Sequence, residues 1–260
     1  MTQGVPILVY HHVYPDDDLA LKDLSKEEAT GLIGVSEFRR HLDHISEGGW
    51  QVVSTTRIVD WLEGEADIPD RALALHFDNG WLDTATTVMP VLVEYGMAGT
   101  SYVITDSATA ASEGRTASAR TLTEGTVQKP FMTWQQISEL LDAGWEIAAH
   151  TATHPKLADL QRSEGDEAVL REVESSSQAF SEHLGFVPRH FAYPSGSRNR
   201  RTDALLAPYY RSLRLWSFSQ PPRWEFTGRH TSPAALQCQN VDGTVAFEDF
   251  ARIFTEAVGQ

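Results

Sequence analysis

The chain has 260 residues, 41% of them hydrophobic, and carries 36 acidic against 21 basic side chains for a formal net charge of −15. That composition suits a globular fold with a sizeable core. It speaks against nucleic acid, anionic polymers and anionic membrane surfaces as main partners, since those need clustered Lys and Arg, and it favours a neutral or cationic substrate. The first element, VPILVYHHV (5–13), is a β-branched run that reads as a buried strand. The stretch around it lacks the basic start and long apolar core of a signal peptide, so the chain reads as cytoplasmic unless a leader precedes it. An acidic segment (14–31) reads as a loop or lid. VSEFRRHLDHISEGGW reads as a helix, with Ser36 as cap, Phe38, Leu42 and Ile45 at helical spacing, and Gly48-Gly49 as the stop. QVVST is a strand and TTRIVDWLEGE a short helix.

RALALHF (71–77) is a strand delivering Asp78, followed by a helix to Gly96 and the strand AGTSYVIT. Residues 106–130 are small, polar and aperiodic, and read as a loop insertion rather than a linker, because strand–helix alternation resumes beyond them. TWQQISELLDAG is a helix capped by Thr133, WEIAAH a strand ending at His150, and SEGDEAVLREVESSSQAFSEHLG a long helix stopped by Gly185. RHFAYP and RSLRLWSFS are strands flanking a helix in NRRTDALLAPYY. Cys238, the single cysteine, can form no internal disulfide and reads as structural. VAFEDFARIFTEAVG closes the chain as an amphipathic helix. Alternation of this kind implies a single-domain α/β fold with a largely parallel sheet, and the absence of GxGxxG and GxxxxGK[ST] favours a closed barrel over a dinucleotide-binding sheet.

Three polar clusters fall at C-terminal strand ends, the face on which parallel barrels gather their active sites. They are Asp78-Asn79-Gly80 in LHFDNGW, His150 and His154 in HTATHP, and Arg189 through Gly196 in RHFAYPSG. Two imidazoles four residues apart can reach one divalent ion, Asn79 can add an amide oxygen, and Asp78 can serve as base toward a water acidified from a pKa of ~15.7 toward ~7. Taken alone, Asp-Asn-Gly is also an ordinary turn, and an HxxxH pair is weak.

In that order and separation, the three motifs resemble the polysaccharide deacetylase family, carbohydrate esterase family 4, in the branch of the bacterial poly-N-acetylglucosamine deacetylases. The resemblance spans roughly residues 5–215. It implies a distorted (β/α) barrel of about seven parallel strands. It further implies a zinc-type ion held by Asn79, His150 and His154, with Asp78 as general base. Arg189 is then the residue orienting Asp78, and the Tyr193 backbone N–H the oxyanion donor. Asn79 departs from the family's aspartate and removes a negative charge from the ion site. His76 stands where the family has Thr or Ser, as a core histidine or a site residue. The late histidine that supplies the general acid is best matched by His230, with His11 and His12 as rivals. Trp134 is a sugar platform or a core residue. The expected activity is metal-dependent removal of an N-acyl group, acetyl above all, from an amino sugar or a related small molecule or oligosaccharide. A sugar-binding pseudoenzyme and a metal-free cyclic amide hydrolase are the alternatives.

Overall fold

The computed structural model describes residues 4–22, 30–121, 125–216 and 222–259. Parts of the acidic segment (23–29), of the insertion (122–124) and of the expected strand 211–219 (217–219) lie outside them. The strands are β1 (Ile7–Tyr10), β2 (His12–Tyr14), β3 (Leu32–Gly34), β4 (Gln51–Val52), β5 (Ala72–Phe77), β6 (Thr100–Val103), β7 (Ala119–Thr121), β8 (Gly125–Val127), β9 (Glu146–Ala149), β10 (His190–Ala192), β11 (Ser212–Arg214) and β12 (Gln239–Asn240). Seven of them pair in the order β11-β10-β9-β6-β5-β1-β12, all parallel, with β4 added to the start of β5. A parallel bridge between Arg214 and Leu236, just ahead of β12, brings the two ends of the order together. The result is the distorted parallel barrel the sequence implied, wrapped by helices α1 (Val35–Glu47), α2 (Thr55–Glu63), α3 (Met89–Glu94), α4 (Thr105–Ser112), α5 (Trp134–Asp142), α6 (Leu157–Glu164), α7 (Asp166–Leu184), α8 (Arg200–Leu206) and α9 (Phe247–Val258).

Side chains alternate across each strand. Leu73, Leu75 and Phe77 of β5 and Leu8 and Tyr10 of β1 face the helices, joining Phe38, Leu42 and Ile45 of α1 in the main core. Each such side chain contributes ~1.5–3 kcal/mol by leaving water. The alternate residues Ile7, Val9 and Ala74 pack with Ile58 and Val59 of α2, which stoppers the barrel floor. The stopper is anchored by polar contacts. The Thr55 and Thr56 amides at its N-terminus donate to the Glu146 carboxylate at 2.5 and 3.2 Å.

Two local readings change. Gly34, not Ser36, occupies the cap of α1; Ser36 lies in the first turn and bonds the Asp16 carboxylate instead. The insertion is not all loop. Its first seven residues belong to α4, which packs small side chains, Ser107, Ala108 and Ala110, and so shows little amphipathic pattern to betray it. It then continues into the β7–β8 antiparallel pair. Among the described residues no helix is long and apolar enough to cross a membrane.

Candidate active site

β5 ends at Phe77, and the chain turns at Asn79 (φ 74°) and Gly80 (φ 79°). A Cβ at Gly80 would already touch Val103 at 3.5 Å, so the turn lies flat against β6. Asp78 is thereby left inside the barrel mouth at 3% exposure. β9 delivers His150 to the same mouth, and the turn after it, with Thr151 at φ 67° and His154 at φ 65°, folds the second imidazole back. The two rings stand 4.8 Å apart between centroids. Among the described residues the non-glycine positions with positive φ are Asn79, Thr151, His154 and Ser195 (φ 51°), all at this mouth. Each such conformation costs ~1–3 kcal/mol and persists only where surrounding structure enforces it, which is typical of functional sites.

One pocket collects His11, His12, Asp78, Asn79, His150 and His154. His150 Nδ1 pairs with the Ala192 carbonyl at 2.8 Å, and His154 Nδ1 with the Arg120 carbonyl at 2.8 Å. Both Nδ1 atoms therefore carry hydrogen, and Nε2 is left as the ligating atom of each ring. Burial pushes the His150 pKa down to about 3, with His154 adding to it, and burial pushes His154 to about 4. Both are neutral imidazoles, the form that ligates. Asn79 Oδ1 is buried without a hydrogen-bond partner. An unsatisfied buried oxygen beside two neutral imidazoles fits a divalent ion that favours nitrogen and oxygen donors. Among the described residues no three His, Cys, Asp or Glu side chains gather as an ion site, because the third donor here is an amide.

The group orienting Asp78 differs from the expectation. Arg189 is exposed and sits at the entry of β10, on the barrel floor. At ~3.3 Å per residue it lies about 13 Å along the strand from Tyr193. Arg214, the last residue of β11 and fully buried, does the work. Its Nη2 donates to both Asp78 oxygens at 2.6 Å. Burial alone would raise the Asp78 pKa, but the charges of Arg214, His150 and His11 outweigh it and hold the carboxyl at about 2. The sequence offered a signal for Arg214. It is the one charged residue in Leu213-Arg214-Leu215, at the inward alternate position of an apolar strand.

Two further expectations change. His230 is exposed and belongs to a segment running under the floor, where Thr227 bridges Val5 ahead of β1. It does not reach the mouth. His11, at the end of β1, does: it lines the pocket, its Nδ1 is buried without a partner, and its ring meets Trp216 edge-on at 6.3 Å. Burial lowers its pKa, opposed by the charge of Asp78 and of Asp242. The Tyr193 N–H is not free; it continues the ladder to the Arg214 carbonyl at 3.3 Å, while the Tyr193 hydroxyl donates to Asp203 at 2.7 Å. Gly196 packs so tightly that a Cβ would lie 2.2 Å from the Trp216 carbonyl oxygen. His76 is a core histidine bonded to Thr55 at 3.0 Å, and Trp134 a core residue stacked on His183.

The strand ends of this parallel barrel thus gather an arginine-clamped carboxylate, two neutral imidazoles and an unpartnered amide oxygen in one pocket. The polysaccharide deacetylase family model matches residues 65–209, more than half of the chain, and the chain belongs to that family. It is similar to YxkH of Bacillus subtilis (strain 168), a protein named for polysaccharide deacetylation, at 22% identity over 198 residues; these make up 76% of this chain and 59% of YxkH. Among solved structures it is similar in fold to the Streptococcus pyogenes deacetylase PplD in complex with acetate (TM-score 0.76, 18% identity, 98% of this chain and 99% of that one). It is also similar to IcaB from Ammonifex degensii (TM-score 0.74, 22% identity, 98% and 97%).

Proposed function

We propose that the protein is a hydrolase removing an N-acyl group, acetyl above all, from an amino sugar or oligosaccharide, with a zinc-type ion held by Asn79, His150 and His154. The observation that carries this reading is the orphaned Asn79 Oδ1 beside two imidazoles whose Nδ1 atoms are engaged elsewhere. Such an ion supplies Lewis acidity and a water acidic enough for a weak base to deprotonate. The protein supplies the rest. Asp78, kept ionised by Arg214, accepts the proton of the attacking water. His11, which lines the same pocket with Nδ1 free of protein partners, is the group placed to hand a proton to the departing amine nitrogen. Buried walls exclude bulk water and strengthen each of these interactions.

The test is metal content together with acetate release from a panel of N- and O-acetylated sugars, for the wild type beside Asp78→Ala, His11→Ala and His150→Ala. Activity abolished by a chelator, restored by zinc and lost in all three variants supports the proposal. Activity that survives the chelator and His150→Ala points to the metal-free hydrolase. Sugar binding without any acetate release points to a binding protein.

A further inference from the structure

One group in the pocket has no part in the chemistry above. His12, the first residue of β2, is 2% exposed and lines the mouth beside His11. Its Nδ1 lies 2.9 Å from Asp83 Oδ1, and the other Asp83 oxygen accepts the Val13 amide at 2.8 Å. The carboxylate thus holds the ring in a fixed orientation and keeps the hydrogen on Nδ1. The faces of the imidazole are covered. Tyr14 stacks on it at 5.0 Å with 20° between planes, and Trp81 at 4.6 Å with 29°. Only the edge bearing Nε2 is left, and that atom is buried with no hydrogen-bond partner.

A buried ring nitrogen without a partner carries a desolvation penalty that nothing in the protein repays. Here the same ring is fixed in tautomer by a carboxylate and in plane by two aromatic neighbours. That is the construction of a preorganised acceptor rather than of a packing residue. Its partner must be a hydrogen-bond donor arriving in the plane of the ring, from the pocket. An N-acylated sugar brings such donors, the hydroxyls on carbons adjacent to the one bearing the acylamino group.

Resting on the deacetylase reading, we propose that His12 is a substrate-recognition residue and Asp83 its positioning residue. Nε2 of His12 accepts a hydrogen bond from the hydroxyl vicinal to the acylamino group. This selects hydroxylated N-acyl substrates over those lacking that hydroxyl.

The experiment compares N-acetylglucosamine oligosaccharides with counterparts deoxygenated at the carbon next to the acetamido group, using the zinc-loaded wild type, His12→Phe and Asp83→Asn. Phenylalanine keeps a ring between Tyr14 and Trp81 and removes both nitrogens. The expected result is a kcat/KM about ten- to a hundredfold lower for His12→Phe on the hydroxylated substrate, with the deoxy substrate within about twofold of wild type. Ring nitrogen-15 spectra of the wild type should show the Nδ1–H tautomer of His12, with Nε2 shifting when the oligosaccharide is added. In Asp83→Asn that tautomer preference should weaken. Equal losses on both substrates, or no loss on either, overturn the inference while leaving the deacetylase reading intact. So does a wild-type His12 whose hydrogen sits on Nε2. A wild type that releases no acetate from any N-acetylated sugar overturns the deacetylase reading, and the hydroxyl assignment with it.

Discussion

The two ends of the barrel differ in how their buried polar groups are partnered, although His76 Nδ1 is unpartnered at the floor. At the floor, His190 has both ring nitrogens satisfied within the protein, by Thr56 at 2.9 Å and Ser212 at 2.8 Å. There Glu146 accepts from two helix amides and from Thr100. At the mouth, Asn79 Oδ1, His11 Nδ1 and His12 Nε2 are buried and unpartnered, and four residues hold left-handed backbone. The floor polar groups fix the fold, whereas those of the mouth are kept for something that is not protein. Parallel barrels divide stability and chemistry between their ends in this way.

The contrast can be broken most severely at Asp78. Asp78→Ala should lower the acetate-release rate by roughly 10²–10⁴, the range for losing a general base, and should also lower the thermal midpoint, because it leaves the buried Arg214 guanidinium without its counter-charge. Next comes the pair of arginines. Arg214→Leu strands a buried carboxylate and should cost about 3–5 kcal/mol in a urea titration, while Arg189→Ala, at the floor rim, should stay within about 0.5 kcal/mol and keep its activity. Equal effects of the two would refute the assignment of the clamp.

A third test uses acid. Burial pushes the His41 pKa down to about 3, with Arg40 and His44 adding to it, and the ring stacks on Phe250 at 3.8 Å. Unfolded histidine titrates near ~6.5, so below that pH the unfolded chain takes up a proton the folded one refuses. His41's contribution is therefore complete above about pH 6.5 and declines as pH falls toward 3, by about 1.4 kcal/mol per unit. Urea midpoints between pH 7 and 4 should show the decline, and His41→Leu should make it shallower by about that amount, the remainder coming from His150 and His154, whose pKa values burial lowers in the same way.

Smaller effects sharpen the comparison. Asn79→Asp adds charge to the donor set and should tighten zinc binding by roughly tenfold, about 1.4 kcal/mol, measured by competition with a chelating dye. Glu146→Gln weakens the anchor at the start of α2 and should cost about 1 kcal/mol without changing kcat.

Much of the mouth was legible because apolar strands ending in Asp78 and His150 have little structural reason to end so. The barrel followed from strand–helix alternation. What stayed hidden depends on three-dimensional return paths. His230 is late in sequence, as a late motif should be, but its segment passes beneath the floor. Arg189 stands at the right spacing from Tyr193, yet an extended three-residue strand carries the two to opposite ends. Arg214 was visible only as an inward charge between two leucines. The left-handed backbone of Thr151, His154 and Ser195 follows from packing around the turns and leaves no trace in residue type.

The bond from His154 to Arg120 has a consequence for how the family could diversify. The acceptor is a main-chain oxygen on the β7–β8 hairpin, so the bond does not require arginine at position 120. Under the proposed zinc reading, the orientation of His154 toward the ion is set by the path of a peripheral excursion. Lengthening or re-routing that excursion would retune the centre while leaving all of its ligands untouched.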